Sequence, residues 1–285
     1  MKLDTIIKKF GGTAATIATR GASLTAPPVL RGAVRFPYGP FQFSAQLPKG
    51  SAYEVQASND LKLWNAIGQG IAKDLSIEVL DSLATNYNQR FYRVIANDVP
   101  SSNVVGYASI TLPPRFSMIG NPFDATNNSV GELFKDWPDN TTLNRFDTRL
   151  FRLMDNMVKD GKWMNPADRL LPGHGAIFSN PTLDYRSLNF AGEVMQGNLS
   201  IPIPSGFSIR SSIVPQSGQL VDDLGFPIAD GDVVHIFDRE KQDYVLYPYE
   251  NGEWKSGQPM LGIGESFWVA KTVPGNWNRS FFVNE

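Results

Sequence analysis

A segment of about ninety residues occurs twice in this chain of 285. One copy opens at Leu112-Pro-Pro-Arg-Phe116-Ser-Met-Ile119 and the other at Ile203-Pro-Ser-Gly-Phe207-Ser-Ile-Arg210. Phe116 and Phe207 stand 91 residues apart, as do Phe146 and Phe237, and Trp163 and Trp254. A shorter offset of 89 links Gly173-His-Gly175 to Gly262-Ile-Gly264, and Phe178 to Phe267. Both copies close on an aromatic run ending in Glu, Phe190-Ala-Gly-Glu193 and Phe282-Val-Asn-Glu285. Landmarks in one order, with spacing held to two residues, mark an internal duplication.

The duplication leaves about 110 residues ahead of it, enough for one more domain and an arm. With 25 Gly, 20 Pro and 12% aromatics, the chain reads as many short strands joined by tight turns. The expected fold is all-β: an N-terminal extended arm over 1–37, an Ig/fibronectin-III-like β-sandwich over 38–110, and two tandem homologous β-rich domains over 111–200 and 201–285. Within the sandwich Tyr53-Glu-Val-Gln-Ala57 and Leu75-Ser-Ile-Glu-Val79 alternate as half-buried strands do, and Gln89-Arg-Phe-Tyr-Arg-Val94 is the last clear strand. Trp64, flanked by Leu61, Leu63 and Ile67, is the expected core anchor. In the repeats, Asn251-Gly252 and Asp160-Gly161 are hairpin turns, since both positions accept positive φ. The only helical patterns are Val130–Lys135 and Leu150–Met157, and alignment of the copies makes the second a strand.

The run Tyr53-Glu-Val-Gln-Ala-Ser-Asn-Asp-Leu-Lys-Leu-Trp64, with Gln89–Val94 after it, resembles a fibronectin-type-III-like module. The repeats resemble the module that often follows it in large modular surface proteins of Verrucomicrobia and Planctomycetes. The marks are Phe116-Ser-Met-Ile-Gly-Asn-Pro122, the later Phe-Asp pair, the Gly-x-Trp turn and the Gly-x-Gly before a Phe. The resemblance covers about residues 50–285 and implies a non-enzymatic surface or spacer domain; such relatives are usually secreted and much longer.

Composition removes several functional classes. A net charge of −2 supplies no basic field for nucleic acid or an anionic membrane. Without cysteine there is neither a disulfide nor a Cys-based metal site. No run approaches 18 apolar residues, so no membrane span is expected. Charges at Asp4, Lys8 and Lys9 interrupt the N-terminus, which reads as a retained arm and not as a signal peptide.

No catalytic, cofactor-binding or metal constellation is expected. His174 lies between two glycines and aligns with Ile263, which favours a structural role. His235 alternates with Val234 and Ile236 and so faces solvent or a partner. No Gly-x-Ser-x-Gly elbow exists. Gly262-Ile-Gly264 is followed by Phe267 where a dinucleotide loop needs a third glycine. Asp222, Asp223, Asp230 and Asp232 sit beside Gly and Pro, as turn acids do, and lack the spacing of a calcium loop. Tyr247, Tyr249, Trp254 and Trp277 could stack on sugars, but hairpin and core positions explain them better.

These features lead to a structural or assembly protein with protein partners, forming a homo-oligomer within an assembly. The first expectation is a phage virion component (head decoration, neck or tail-fibre-related), docked through arm residues Ile6, Ile7, Phe10, Arg20, Arg31 and Arg35. The alternatives are a bacterial cell-surface or extracellular adhesion module and a carbohydrate-binding protein.

Overall fold

Among residues 26–284, which the computed structural model of the chain describes, almost every element is a strand. The first group is β1 (Val29–Arg35), β2 (Phe41–Gln46), β3 (Ala52–Ser58), β4 (Asn65–Ile71), β5 (Ser76–Asp81), β6 (Gln89–Ala96), β7 (Val99–Pro100) and β8 (Val105–Leu112). The first repeat adds β9 (Arg115–Gly120), a one-turn helix α1 (Val130–Leu133), β10 (Thr142–Asp147), β11 (Arg152–Lys159), β12 (Lys162–Trp163), β13 (Gly175–Asn180) and β14 (Arg186–Glu193). The second adds β15 (Gly197–Ile203), β16 (Gly206–Ser211), β17 (Gly218–Gln219), β18 (Val233–Asp238), β19 (Asp243–Glu250), β20 (Glu253–Trp254), β21 (Met260–Leu261), β22 (Ser266–Lys271) and β23 (Gly275–Phe281). No helix among the described residues is long and apolar enough to cross a membrane.

A three-stranded sheet, β1-β2-β5, covers one face of the sheet β14-β8-β6-β3-β4. β8 decides how the N-terminal sandwich meets the first repeat. Val105 and Tyr107 point into the sandwich core, whereas Ala108, Ile110 and Leu112 point into the core of the repeat. β14 does likewise, sending Leu188 and Phe190 into the repeat core while Ala191 packs on the sandwich core. One sheet therefore serves two cores. Because β8 is buried on both faces, Val105–Leu112 shows no clean apolar-polar alternation, which is why Gln89–Val94 reads as the last clear strand.

Two expectations change in this region. Val29–Arg35 belongs to the sandwich and not to an arm ending at residue 37: Leu30 is buried, and Asn103 holds it with Leu30 N to Oδ1 at 2.8 Å and Nδ2 to Leu30 O at 2.9 Å. Gly32 has a φ of +64°, which β1 absorbs where the β1–β2 register shifts between Arg31 and Val34. Trp64 is half-buried against the repeat core beneath the Arg93 guanidinium, and Leu63 is 74% exposed. The sandwich centre is filled instead by Phe41, stacked on Tyr92 at 4.7 Å and tilted against Tyr107 at 5.3 Å.

The two repeats share one topology. Sheet order β12-β11-β10-β13-β9 in the first matches β20-β19-β18-β22-β16 in the second, and the pair β8–β14 matches β15–β23. Asp160-Gly161 and Asn251-Gly252 both turn with positive φ, at 51° and 71° and at 55° and 78°. Leu150–Met157 enters β11, the strand that alignment indicated.

Strand register revises the alignment. Gly175 pairs with Gly120 as Ser266 pairs with Ser211, so β13 and β22 stand 91 residues apart, not 89. Phe178 thus corresponds to Val269, and Gly173-His-Gly175 to Gly264-Glu-Ser266. The two-residue difference arises later, in the turn 181–185 against 272–274, and brings Leu188 into correspondence with Trp277 and Glu193 with Phe282. Gly-x-Gly misled the reading because Gly264, at φ +75°, is the counterpart of Gly173, at φ +86°, and not of Gly175. The partner position of His174 is Glu265, not Ile263.

Candidate functional site

The repeats face each other across a pseudo-twofold seam. Gly120 N–H donates to Gly264 O at 3.0 Å, and its counterpart Ser211 N–H donates to Gly173 O at 3.2 Å. Single bridges Ile119–Glu265 and His174–Arg210 obey the same symmetry. Each repeat also sends the tip of its central hairpin onto the opening strand of the other. On one side the Gln242 amide clamps Phe116, accepting from its N–H at 2.9 Å and donating to its carbonyl at 2.9 Å. On the other, the residue equivalent to Gln242 is Phe151, which meets Phe207 edge-on at 6.4 Å.

That substitution makes the two sides chemically different. Around Phe151 and Phe207 an aromatic cup of about 270 Å³ is completed by Phe146, His235, Tyr244 and Trp268. Phe146 stands edge-on to Trp268 at 4.9 Å, Phe207 to His235 at 6.0 Å, and His235 to Tyr244 at 6.4 Å. Such geometry sets positive ring edges against negative faces and holds the rings in place. Trp268 Nε1 donates to Tyr244 Oη at 3.2 Å, fixing both rims. Burial pushes the His235 pKa below its ordinary 6.5, so its ring is neutral at pH 7, and burial raises the Tyr244 hydroxyl above 10. Phe151 and Phe207 remain solvent-exposed.

The strands explain the cup. Val234, Phe267 and Val269 turn into the second repeat's core, so His235 and Trp268, paired across β18 and β22, must turn outward. His235 does face away from the core, as its alternation predicts. Of the other cup residues, Phe146 and Phe207 stand out in the sequence only as landmarks of the duplication, and none is singled out there as part of a site; the signal was the set of aromatics on the outward phase of β16, β18 and β22.

Other candidate residues lie elsewhere. Arg31 Nε donates to Gln46 Oε1 at 3.2 Å, and Arg35 sits over the Tyr107 ring at 4.8 Å, both on the sandwich. Ile6, Ile7, Phe10 and Arg20 lie outside the described residues. Trp277 is fully buried and donates to Leu224 O at 2.7 Å, while Trp254 packs on Tyr249 at 5.3 Å. Asp232 is buried against Lys271, Asp223 accepts from Gln219 N, and Asp230 from Gly252 N. Among the described residues no three His, Asp or Glu side chains converge as a metal site requires.

No protein-family model matches this chain, and no curated protein does. Among solved structures it is similar to the tetra-tandem repeat in the extending region of a large adhesion protein, at 10% identity and a TM-score of 0.25, over 91% of this chain and 75% of that one.

Proposed function

We propose that the chain is a non-enzymatic adhesion and structural module of a cell surface, which holds the aromatic cup rigidly and offers it to an apolar side chain of a protein partner. The observation that carries this reading is the seam: two copies of one fold interlock, and at one of the two equivalent places the polar clamp is replaced by open aromatic rings. A sugar would need several hydrogen-bonding groups beside the stack. The cup provides the His235 ring and the Tyr244 hydroxyl, and the latter already accepts from Trp268. The resemblance of residues 50–285 to modules of large bacterial surface proteins supports the same reading.

The virion reading draws on the N-terminal arm, most of which lies outside the described residues; the adhesion reading draws on the seam, and we adopt it. Beads coated with the chain should be retained under flow on cells of the source organism, whereas beads carrying Phe151→Ser and Phe207→Ser together should wash off. Equal retention of both would remove the cup from the function. Antibody labelling confined to phage particles would replace adhesion with the virion role, and binding on a glycan array that depends on Trp268 would favour the carbohydrate reading.

A further inference from the structure

The second difference across the seam concerns charge. On one side Arg239, from the β18–β19 tip, pairs with Glu265 at 3.4 Å. The equivalent positions on the other side are Thr148 and His174, so the carboxylate is missing. At the same place Arg210 stands where the first repeat has Ile119.

Arg210 is 6% exposed. Among the described residues no carboxylate oxygen lies within 4.0 Å of its guanidinium. Its Nε is enclosed and has no hydrogen-bond partner. Among the described residues its one side-chain hydrogen bond runs from Nη1 to His174 Nδ1 at 3.3 Å. A guanidinium only donates, so Nδ1 accepts and the imidazole is neutral with its proton on Nε2. Desolvation pushes the Arg210 pKa down to about 10, which leaves it cationic at pH 7. Arg145 is near enough to lower the His174 pKa further, after partial desolvation of the ring and Arg210. Its own charge is matched by Asp168 at 3.0 Å. A buried cation without a counter-charge is costly, and a pre-set, weakly hydrated fork is the group proteins use for planar and tetrahedral oxyanions.

Arg210 borders a cleft of about 610 Å³, lined also by Thr148, His174, Pro202, Pro204 and Asn276. We propose that this cleft is an oxyanion site, in which Arg210 receives the carboxylate or phosphate group of a small ligand. Thr148 and Asn276 bring neutral donors to the same space, and the prolines form its apolar walls. The cleft lies within the roughly 300–1,000 Å³ range of small-molecule pockets, so the anion is the charged end of a larger ligand and not a bare ion. The proposal is independent of whether the aromatic cup mediates adhesion.

The test uses the full chain with sodium phosphate, sodium acetate and sodium glucuronate, each compared with chloride at matched ionic strength. At least one should raise the unfolding temperature saturably, by a few degrees at millimolar concentration. Arg210→Ile installs the residue of the equivalent position, so the variant should fold; it should lose that shift. A response to phosphate alone identifies a phosphoryl ligand, and a response to acetate and glucuronate identifies a carboxylate. In the wild type the same anion should raise the His174 pKa followed by NMR, a readout that needs no variant. No saturable shift with any of the three anions, or the same shift in Arg210→Ile, would overturn the site.

Discussion

Gly264 accepts a backbone hydrogen bond from Gly120 at 3.0 Å, joining two units that are copies of each other at points that are not equivalent within the copy. The equivalent pair, Gly173 and Ser211, repeats the bond in the opposite sense. Space at this joint is minimal: a Cβ on Gly264 would lie 2.1 Å from Ile110 Cδ1, and one on Gly120 would lie 2.2 Å from Ser211 Cβ.

Gly264→Ala should therefore destabilise the chain by about 2 kcal/mol or more, because a left-handed φ and a steric overlap act together. Gly252→Ala provides the control. It has a similar φ of +78° but nothing within 4 Å of the new methyl, so about 1 kcal/mol is expected. Denaturant midpoints of the two variants separate strain from crowding; equal losses would mean that the seam is not tightly packed.

Lys271 and Asp232 form an ion pair that is 6% and 0% exposed, where the first repeat has Asn180 and Thr141. Lys271→Met should cost about 3–5 kcal/mol, since Asp232 is left buried with its charge unpaired. Asp232 would keep its bonds from Thr272 N at 2.7 Å and Ala229 N at 2.7 Å. Installing the first repeat's pair, Lys271→Asn with Asp232→Thr, should recover most of the loss. Chemical denaturation of the single and double variants checks this, and a double variant no better than Lys271→Met would contradict it.

Both histidines have folded pKa values below the ordinary 6.5, His174 through partial desolvation of its ring and then the Arg210 and Arg145 cations, and His235 through burial among Phe207, Tyr244 and Trp268. The unfolded chain then binds more protons below that value, so the stabilisation is complete above pH 6.5 and declines as pH falls through and below it. His174 is exposed at the mouth of its cleft, which moderates its share. Unfolding temperatures measured between pH 7.5 and 5.5 should decline in the wild type and decline less in a His174→Gln, His235→Gln variant. Identical slopes would show that neither imidazole is held neutral by the fold.

Much of this architecture was legible in the chain. The duplicated landmarks Phe116 and Phe207, Asp160-Gly161 and Asn251-Gly252 do occupy equivalent places, because turns needing positive φ and aromatics at fixed strand positions leave local signatures. What stayed hidden depends on contacts between units. β8 is buried on both faces and loses its alternation, and β1 carries a register shift between Arg31 and Val34 that interrupts its pattern. The correspondence of His174 with Glu265 follows from strand register, which a Gly-x-Gly match does not fix. The cup draws Phe146 and Phe151 from one repeat and Phe207, His235, Tyr244 and Trp268 from the other, so no single segment of sequence contains its pattern.

The central claim is that the two repeats form one interlocked body, and native-state hydrogen exchange at two amides tests it most directly. Gly120 N–H and Ser211 N–H are the paired bonds across the seam. Both should exchange only through global unfolding, at the same free energy as core amides of β10 and β18, and both should lose protection together in Gly264→Ala. Exchange of either amide at loop-like rates, while the cores of the two repeats stay protected, would show that the repeats are separate bodies and would contradict the account.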